Sequence, residues 1–338
     1  MVSENTKDVA TIVDDLTTTD IGNRDAICPI SSAAREKQGR NPSMQAAERL
    51  NEAVDPGDTV LVLTGFLIPP SMVQETDGPL GAVSVARAVD SALDANAIIA
   101  CEPAAVDICE ATAMAGELSV LDREAVSNNK RSVSVEPFPA DRSEAQKYVE
   151  ELLSEVDPAA VVAVEKAAPN KEGVYHNMAG YDVTEQTAKV DELYSRLPAD
   201  VLTVSVGDAG NEVGMGLVQE TVEDEIQYGD ECQCGCGAGT AADIETDLLV
   251  PATVSNWGGH AIAACLSHVT QTPILHDPEV ERRMLVQASM AGSIDGIVGG
   301  TNAWCDGMPP DAHESMLRLI REIFRSSVHT RGGSELER

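Results

Sequence analysis

Five short runs of apolar, largely β-branched residues constrain this chain more than anything else in it. They are Thr59–Leu63 (TVLVL), Ala97–Ala100 (AIIA), Ser132–Val135 (SVSV), Ala159–Val164 (AAVVAV) and Val201–Val206 (VLTVSV). A strand with one face in water alternates apolar and polar residues, whereas a strand covered on both faces is nearly continuous in apolar residues. These runs therefore predict a parallel sheet with helices on both sides, and Thr246–Val250 predicts a sixth strand. Segments of helical period lie before, between or after them: Pro42–Val54, Leu80–Leu93, Arg142–Val156, Thr184–Leu197, Trp257–His268, Pro278–Ala291 and Ala312–Ser326. The first follows Asn41 as N-cap with proline at its first position. Strands spaced by helices imply right-handed crossovers. The expected fold is α/β: a doubly wound, mostly parallel sheet flanked by helices, Rossmann-like in three layers.

The expected organisation is a single α/β catalytic-type domain over 41–330. An irregular segment, 1–40, packs on it, with Asp20–Gln38 able to serve as a cover. A frayed tail, 331–338, follows. Aromatic residues make up only 3% of the chain, so Val, Ala, Ile and Leu must fill the core. Asp plus Glu outnumber Lys plus Arg by 56 to 23, and the formal net charge is −33. In dilute buffer such charge repels itself, while a Debye length of about 3 Å at 1 M salt removes most of that repulsion. The acidic balance reads as adaptation to brine. It speaks against nucleic acid, whose phosphates need basic patches, and against anionic membranes. The first residues, MVSENTKDVA, lack a basic-then-apolar start, and no apolar run is long enough to span a bilayer. A cytoplasmic location is expected, and with it eight cysteines kept as thiols rather than a disulfide framework.

In a doubly wound sheet ligands sit beyond the carboxyl ends of the strands, so the loops that follow strands carry the candidate chemistry. After the first strand come Thr64, Gly65, and then Glu75-Thr76-Asp77-Gly78-Pro79. Thr76 or Asp77 can cap the next helix, whose free amides favour an anion. The fourth strand ends in Glu165-Lys166, either a site element or an ordinary ion pair. The loop Gly173–Asp182 gathers polar and aromatic residues, including His176 and Asn177; His176 taken alone reads as a structural histidine. The fifth strand runs into Gly207-Asp208-Ala209-Gly210-Asn211-Glu212-Val213-Gly214-Met215-Gly216, read as a tight turn into a helix. Its glycine spacing fits neither a dinucleotide fingerprint nor a phosphate-binding Walker loop, so no nucleotide cofactor is expected. Asp208 and Glu212 have the oxygen donors of a divalent-cation site. Ser255 or Asn256 suits an N-cap after the last strand. The run Cys232, Cys234, Cys236 offers soft donors for a metal such as zinc, although Cys-x-Cys-x-Cys is not the usual zinc spacing.

Taken together, Asp20-Ile21-Gly22-Asn23-Arg24, Leu63-Thr64-Gly65-Phe66, Glu75–Pro79, Tyr175–Gly180, Gly207–Gly216 and Val254–Gly259 resemble the D-glutamate cyclase family, from about Asp20 to the helix after Asn256. The Cys232–Cys236 stretch lies outside that pattern. The resemblance implies conversion of D-glutamate to 5-oxo-D-proline with loss of water, by attack of the α-amine on the γ-carboxyl group. On this reading Asp77, Glu165, Asp208 and Glu212 are the catalytic candidates. Thr64, Gly65, Thr76, Gly78, His176, Asn177, Gly207, Gly210, Asn211, Ser255 and Asn256 surround the substrate. The helix termini after Gly78 and Gly210 would take carboxylates, Glu165 or Asp208 the ammonium proton, and Asn211 and Asn256 would donate to an oxyanion. Manganese or magnesium on Asp208 and Glu212 would polarise the γ-carboxyl group. The partner is then a small anionic amino acid, and homo-oligomerisation stays open. A dicarboxylate-binding protein without turnover, or a metal-dependent hydrolase or phosphoryl-transfer enzyme, would use many of the same groups.

Overall fold

The computed structural model describes residues 4–39 and 41–332. Its strands are β1 (Thr59–Gly65), β2 (Leu67–Ile68), β3 (Val73–Gln74), β4 (Asn96–Cys101), β5 (Ser119–Val120), β6 (Ser132–Pro137), β7 (Ala160–Lys166), β8 (Leu202–Gly207) and β9 (Leu248–Pro251). Seven of them form one sheet in the order β5-β6-β4-β1-β7-β8-β9. Every pairing in it is parallel. The chain winds outward from β1 in one direction through β4 and in the other through β7, so the topological switch lies between β1 and β7. The pair β2–β3 is a separate antiparallel ribbon beside the end of β1.

The helices are α1 (Glu4–Thr17), α2 (Ile27–Gln38), α3 (Pro42–Ala53), α4 (Pro79–Leu93), α5 (Val106–Ala115), α6 (Arg123–Val126), α7 (Arg142–Val156), α8 (Asp191–Tyr194), α9 (Gln219–Glu225), α10 (Ser255–Thr270), α11 (Pro278–Met290) and α12 (Pro310–Gly332). Successive strand residues point to opposite faces, and the core divides accordingly. Val60, Val62, Ile99, Val162 and Val204 pack with α3, α4, α5, α10 and α11. Leu61, Leu63, Ile98, Val161 and Ala163 pack with α2, α7 and α8. Each such aliphatic side chain contributes about 1.5–3 kcal/mol by leaving water. This is the expected three-layer, doubly wound α/β fold.

Helices α4 and α10 touch backbone to backbone. A Cβ on Gly259 would stand 2.7 Å from Gly81 Cα, and one on Gly81 would stand 2.9 Å from Asn256 Cα. This close approach brings the N-termini of the two helices together beside the switch point.

Three expectations need correction. The described part of the expected irregular segment 1–40 is not irregular, because α1 and α2 are regular helices. In α2, Pro29 falls in the first turn, where no intrahelical partner is lost, and Ile30 and Ala34, four apart, are buried. Thr184–Leu197 is not a helix beyond Asp191–Tyr194. Its polar groups bond to other loops instead: Tyr175 N–H donates to Thr184 Oγ1 and Lys189 N–H to Pro139 O. The glycine-rich turn after β8 does not open straight into a helix either, and α9 begins only at Gln219. The expected tail lies, from residue 333 on, outside the described residues.

Candidate active site

Beyond the carboxyl ends of β1, β7 and β8 lies a cleft of about 320 Å³, lined by Arg24, Phe66, Ile68, Glu75, Glu165, Asn177, Met178, Ala179, Asp208, Asn211, Ile297 and Asp306 among others. Glu165 stands at the switch point itself. Thr64 pairs with Val164 but Gly65 pairs with Lys166, so Glu165 is the extra residue of a bulge. Its φ of 46° is left-handed, an uncommon conformation for a side chain other than glycine, asparagine or aspartate. The bulge turns its carboxylate out of the strand, where Oε2 accepts a 2.6 Å hydrogen bond from Ser255 Oγ. Lys166 points the other way, under the floor, into a fully buried ion pair with Glu102.

Two more of the expected acids are held by backbone. Asp77 accepts from Ser255 N–H and Asn256 N–H, both at 2.7 Å, and so caps α10. Asn256 returns the favour: its Oδ1 accepts from Gly78 N–H at 3.0 Å and Gly81 N–H at 2.7 Å, capping α4. Glu212 folds back across its own turn and accepts from the amides of Asp208, Ala209 and Gly210 at 2.7–2.8 Å. Side chains thus occupy the Gly78 and Gly81 amides at the start of α4 and the Asp208, Ala209 and Gly210 amides of the turn after β8. These five are not free for the substrate carboxylates expected there, and the turn itself opens no α-helix terminus. Asn256 is likewise engaged at both ends of its amide, since its Nδ2 donates to Thr76 O and to Cys305 Sγ.

The other expected residues divide between wall and support. Asn177 and Asn211 line the cleft. Asn211 Nδ2 donates to His176 O, while its buried Oδ1 has no partner among the described residues. Thr64 lies buried beneath Gly78, where φ is +98° and a Cβ would stand 2.6 Å from Thr64 Oγ1. Thr76 donates to Trp304 O. Gly65 and Gly207 let Gln74 and Met215 approach the strand ends closely. His176 does not face the cleft; its Nε2 lies 3.3 Å from Cys234 Sγ.

Three lining groups were missed by reading strand ends alone. Arg24 reaches in from the segment between α1 and α2 and bonds Asp208 at 2.8 Å, Asp306 at 3.2 Å and the Thr253 carbonyl. Asp306 belongs to the loop between α11 and α12, and Glu75 follows β3. The run Asp20–Arg24 in the family pattern was the available signal for Arg24. Asp306 carried none.

Six carboxyl groups therefore gather around one guanidinium. Burial, followed by repulsion among them, pushes Glu75, Glu165 and Asp306 well above the ordinary carboxyl range. The same causes raise Asp77 to about 7 and Glu212 to about 8, against the pull of their backbone hydrogen bonds. Oxygens of Asp77, Asp208 and Asp306 lie within 4.8 Å of one another, and so do those of Glu165, Asp208 and Glu212. Both sets are all-oxygen, as hard cations such as magnesium and manganese prefer, and Asp208 belongs to both. Crowding of this kind favours the protonated form of the raised acids, and a divalent cation bound there would take the place of those protons.

The family described as D-glutamate cyclase-like, C-terminal, matches residues 13–321. The chain belongs to this family. Among its relatives, the mitochondrial D-glutamate cyclase of Homo sapiens is 30% identical over 295 residues, which is 82% of this chain and 42% of that protein. The chain thus spans less than half the length of this curated relative. The family match takes in the whole cleft, from Arg24 to Asp306. No helix among the described residues is long and apolar enough to cross a membrane.

Proposed function

We propose that the chain is an enzyme that closes D-glutamate to 5-oxo-D-proline and water. The observation that carries this reading is the cleft's composition, in which the carboxyl groups of Glu75, Glu165, Asp208 and Asp306 surround a single arginine and an unpartnered amide oxygen. The substrate is an ammonium with two carboxylates. Its ammonium suits the acidic wall and the open Asn211 Oδ1, and one carboxylate suits Arg24, exchanged from its bonds to Asp208 and Asp306. Ring closure forms a bond between the amine nitrogen and the γ-carbon and breaks one γ-carbon–oxygen bond. Two ammonium protons must leave with that oxygen as water.

Glu165 is placed for the transfer. Burial and the neighbouring carboxylates raise its pKa, which makes it a stronger base toward an ammonium than an ordinary carboxylate, and the proton it takes can pass to a leaving oxygen. Ser255 Oγ orients its carboxyl group. Asp77 and Glu212 hold the two loops in shape through backbone amides, so their part is positioning. Phe66, Ile68 and Ile297 give the cleft an apolar side that favours the folded conformation in which amine and γ-carbon meet. A divalent cation held by Asp208 with Asp77 and Asp306, or with Glu165 and Glu212, would supply charge for the γ-carboxyl oxygens. Six carboxyls against one arginine weigh against a phosphorylated ligand.

The test is incubation in molar KCl, with and without MnCl₂, with D- or L-glutamate, following 5-oxoproline by chiral chromatography. Product from D-glutamate, lost in Glu165→Gln and in Asp208→Asn, is expected. Saturable glutamate binding by calorimetry with no product from either enantiomer would replace the enzyme by a binding protein.

A further inference from the structure

The loop 229–240 plays no part in that chemistry, yet it brings three thiols and an imidazole together. Cys232 Sγ lies 3.1 Å from Cys234 Sγ and 3.5 Å from Cys236 Sγ. His176 Nε2 lies 3.3 Å from Cys234 Sγ and 3.9 Å from Cys236 Sγ. All four donor atoms fall within 4.8 Å of one another. We propose that Cys232, Cys234, Cys236 and His176 are the four ligands of a tetrahedral zinc site that ties this loop to the wall of the cleft.

The geometry is close to what zinc requires. Zn–S bonds of about 2.3 Å and a Zn–N bond of about 2.0 Å put tetrahedral sulfurs about 3.8 Å apart and sulfur about 3.5 Å from nitrogen. A disulfide explains the arrangement less well: it would use two sulfurs at about 2.05 Å and leave the third sulfur and the imidazole without a purpose. The histidine is nearly fully buried and comes from a segment 58 residues before Cys234, so local sequence alone does not create the cluster. Positive φ angles at Gly235 and Gly237 turn the chain tightly around the three sulfurs. Asn170 Nδ2 donates to Cys236 Sγ at 3.4 Å and to Gly239 O at 2.8 Å, the kind of outer partner that orients a metal-bound thiolate. Binding would release the three thiol protons and leave a centre of net charge −1 with neutral His176.

The consequence for the cleft is direct. His176 O holds Asn211 Nδ2 at 2.9 Å, and the next residues, Asn177, Met178 and Ala179, line the cleft. Gln233, between two of the cysteines, bonds Gly180 O through its amide and Ala179 O through its side chain. Zinc would fix this wall from behind, outside the reacting groups, and the inference holds whatever the cleft transforms.

The test uses the full chain, reduced, reconstituted with zinc sulfate and freed of loose metal on a chelating resin. Elemental analysis is expected to give one zinc per chain, and cobalt chloride in its place the visible sulfur-to-cobalt bands of a tetrahedral thiolate site. The Cys234→Ser/Cys236→Ser double variant should lose the zinc, and Asp208→Asn should keep it. In the unaltered protein, zinc should shield Cys232, Cys234 and Cys236 from maleimide, as mapped by peptide mass, and leave the exposed Cys28 reactive. That readout does not depend on a variant folding. Equal labelling of the three with and without zinc, zinc retained by the double variant, or a chain two hydrogens light and free of zinc would each overturn the proposal.

Discussion

The raised acids of the cleft make stability fall as pH rises, opposite to the usual behaviour of paired carboxylates. Between the ordinary carboxyl range and its raised value, each group holds a proton in the folded chain that the unfolded chain has lost. Stability then drops by about 1.4 kcal/mol per pH unit per group. Asp77, raised from 3.8 to about 7, accounts for about 4 kcal/mol on full titration, and Glu212, raised from 4.5 to about 8, for about 5 kcal/mol. Both neighbour Asp208 and their effects do not add, so about 3 kcal/mol per pH unit is an upper bound for the pair. The window to use is about pH 6.5 to 8. Below it His276 and His313, which burial holds under the usual imidazole value, act in the opposite sense. At about 2.1 cal/mol/K per residue, 338 residues give an unfolding entropy of about 0.7 kcal/mol/K, so the bound corresponds to about 4 °C per pH unit. The assay is scanning fluorimetry in molar KCl, which screens the general surface charge. Glu75→Gln removes one raised acid and should flatten the slope, and MnCl₂ should flatten it further by replacing protons. A Tm that is constant or rising across this window would refute the reasoning.

Gly78→Ala forces a Cβ against Thr64 Oγ1 and Glu165 Cβ at a φ of +98° and should cost about 2–3 kcal/mol in urea unfolding. Asn256→Ala strips the acceptor from the buried Gly81 N–H and leaves Gly78 N–H with Asp77 Oδ1 alone; it should cost about 2 kcal/mol, or about 3 °C in Tm. Glu281 is buried between His260 and His276. Burial pushes its carboxyl up, but the two histidines outweigh this and hold it below the usual range. Its contribution is therefore present at neutral pH and lost only as pH falls below the ordinary carboxyl range. Glu281→Gln should cost about 3 kcal/mol at pH 7 and little in strong acid, measured by urea unfolding at both. Moving from dilute to molar KCl should raise Tm for a chain of net charge −33, and no change would argue against repulsion as the cost of its acidity.

The sheet was legible because strands buried on both faces leave unbroken apolar runs, and four of the acids because they follow those runs. The edge strand β5, two residues long, left no such trace. Helix α2 was hidden by Pro29 and two serines in a short sequence, and the supposed helix at 184–197 had the right period but found better partners elsewhere. The larger misreading concerned the helix termini. Free amides are a local property, but whether they stay free is decided by side chains from loops far away in sequence, as Asp77 and Asn256 decide it here. His176 shows the same limit: its neighbours in the chain line the cleft, while its own ring is claimed by cysteines that fold in behind it.

The exchange of caps between α4 and α10 joins positions 179 residues apart. Each helix start is completed by a side chain from the start of the other. A chain leaving the ribosome with β1 through β8 complete would still carry an open α4 and an unformed rim, because Asn256 has yet to be made. The rim of the cleft therefore cannot be complete before the C-terminal helices are made and docked. Change at either position meets the same logic: a new residue at 77 disturbs the start of α10, one at 256 the start of α4, and the two can drift only as a pair.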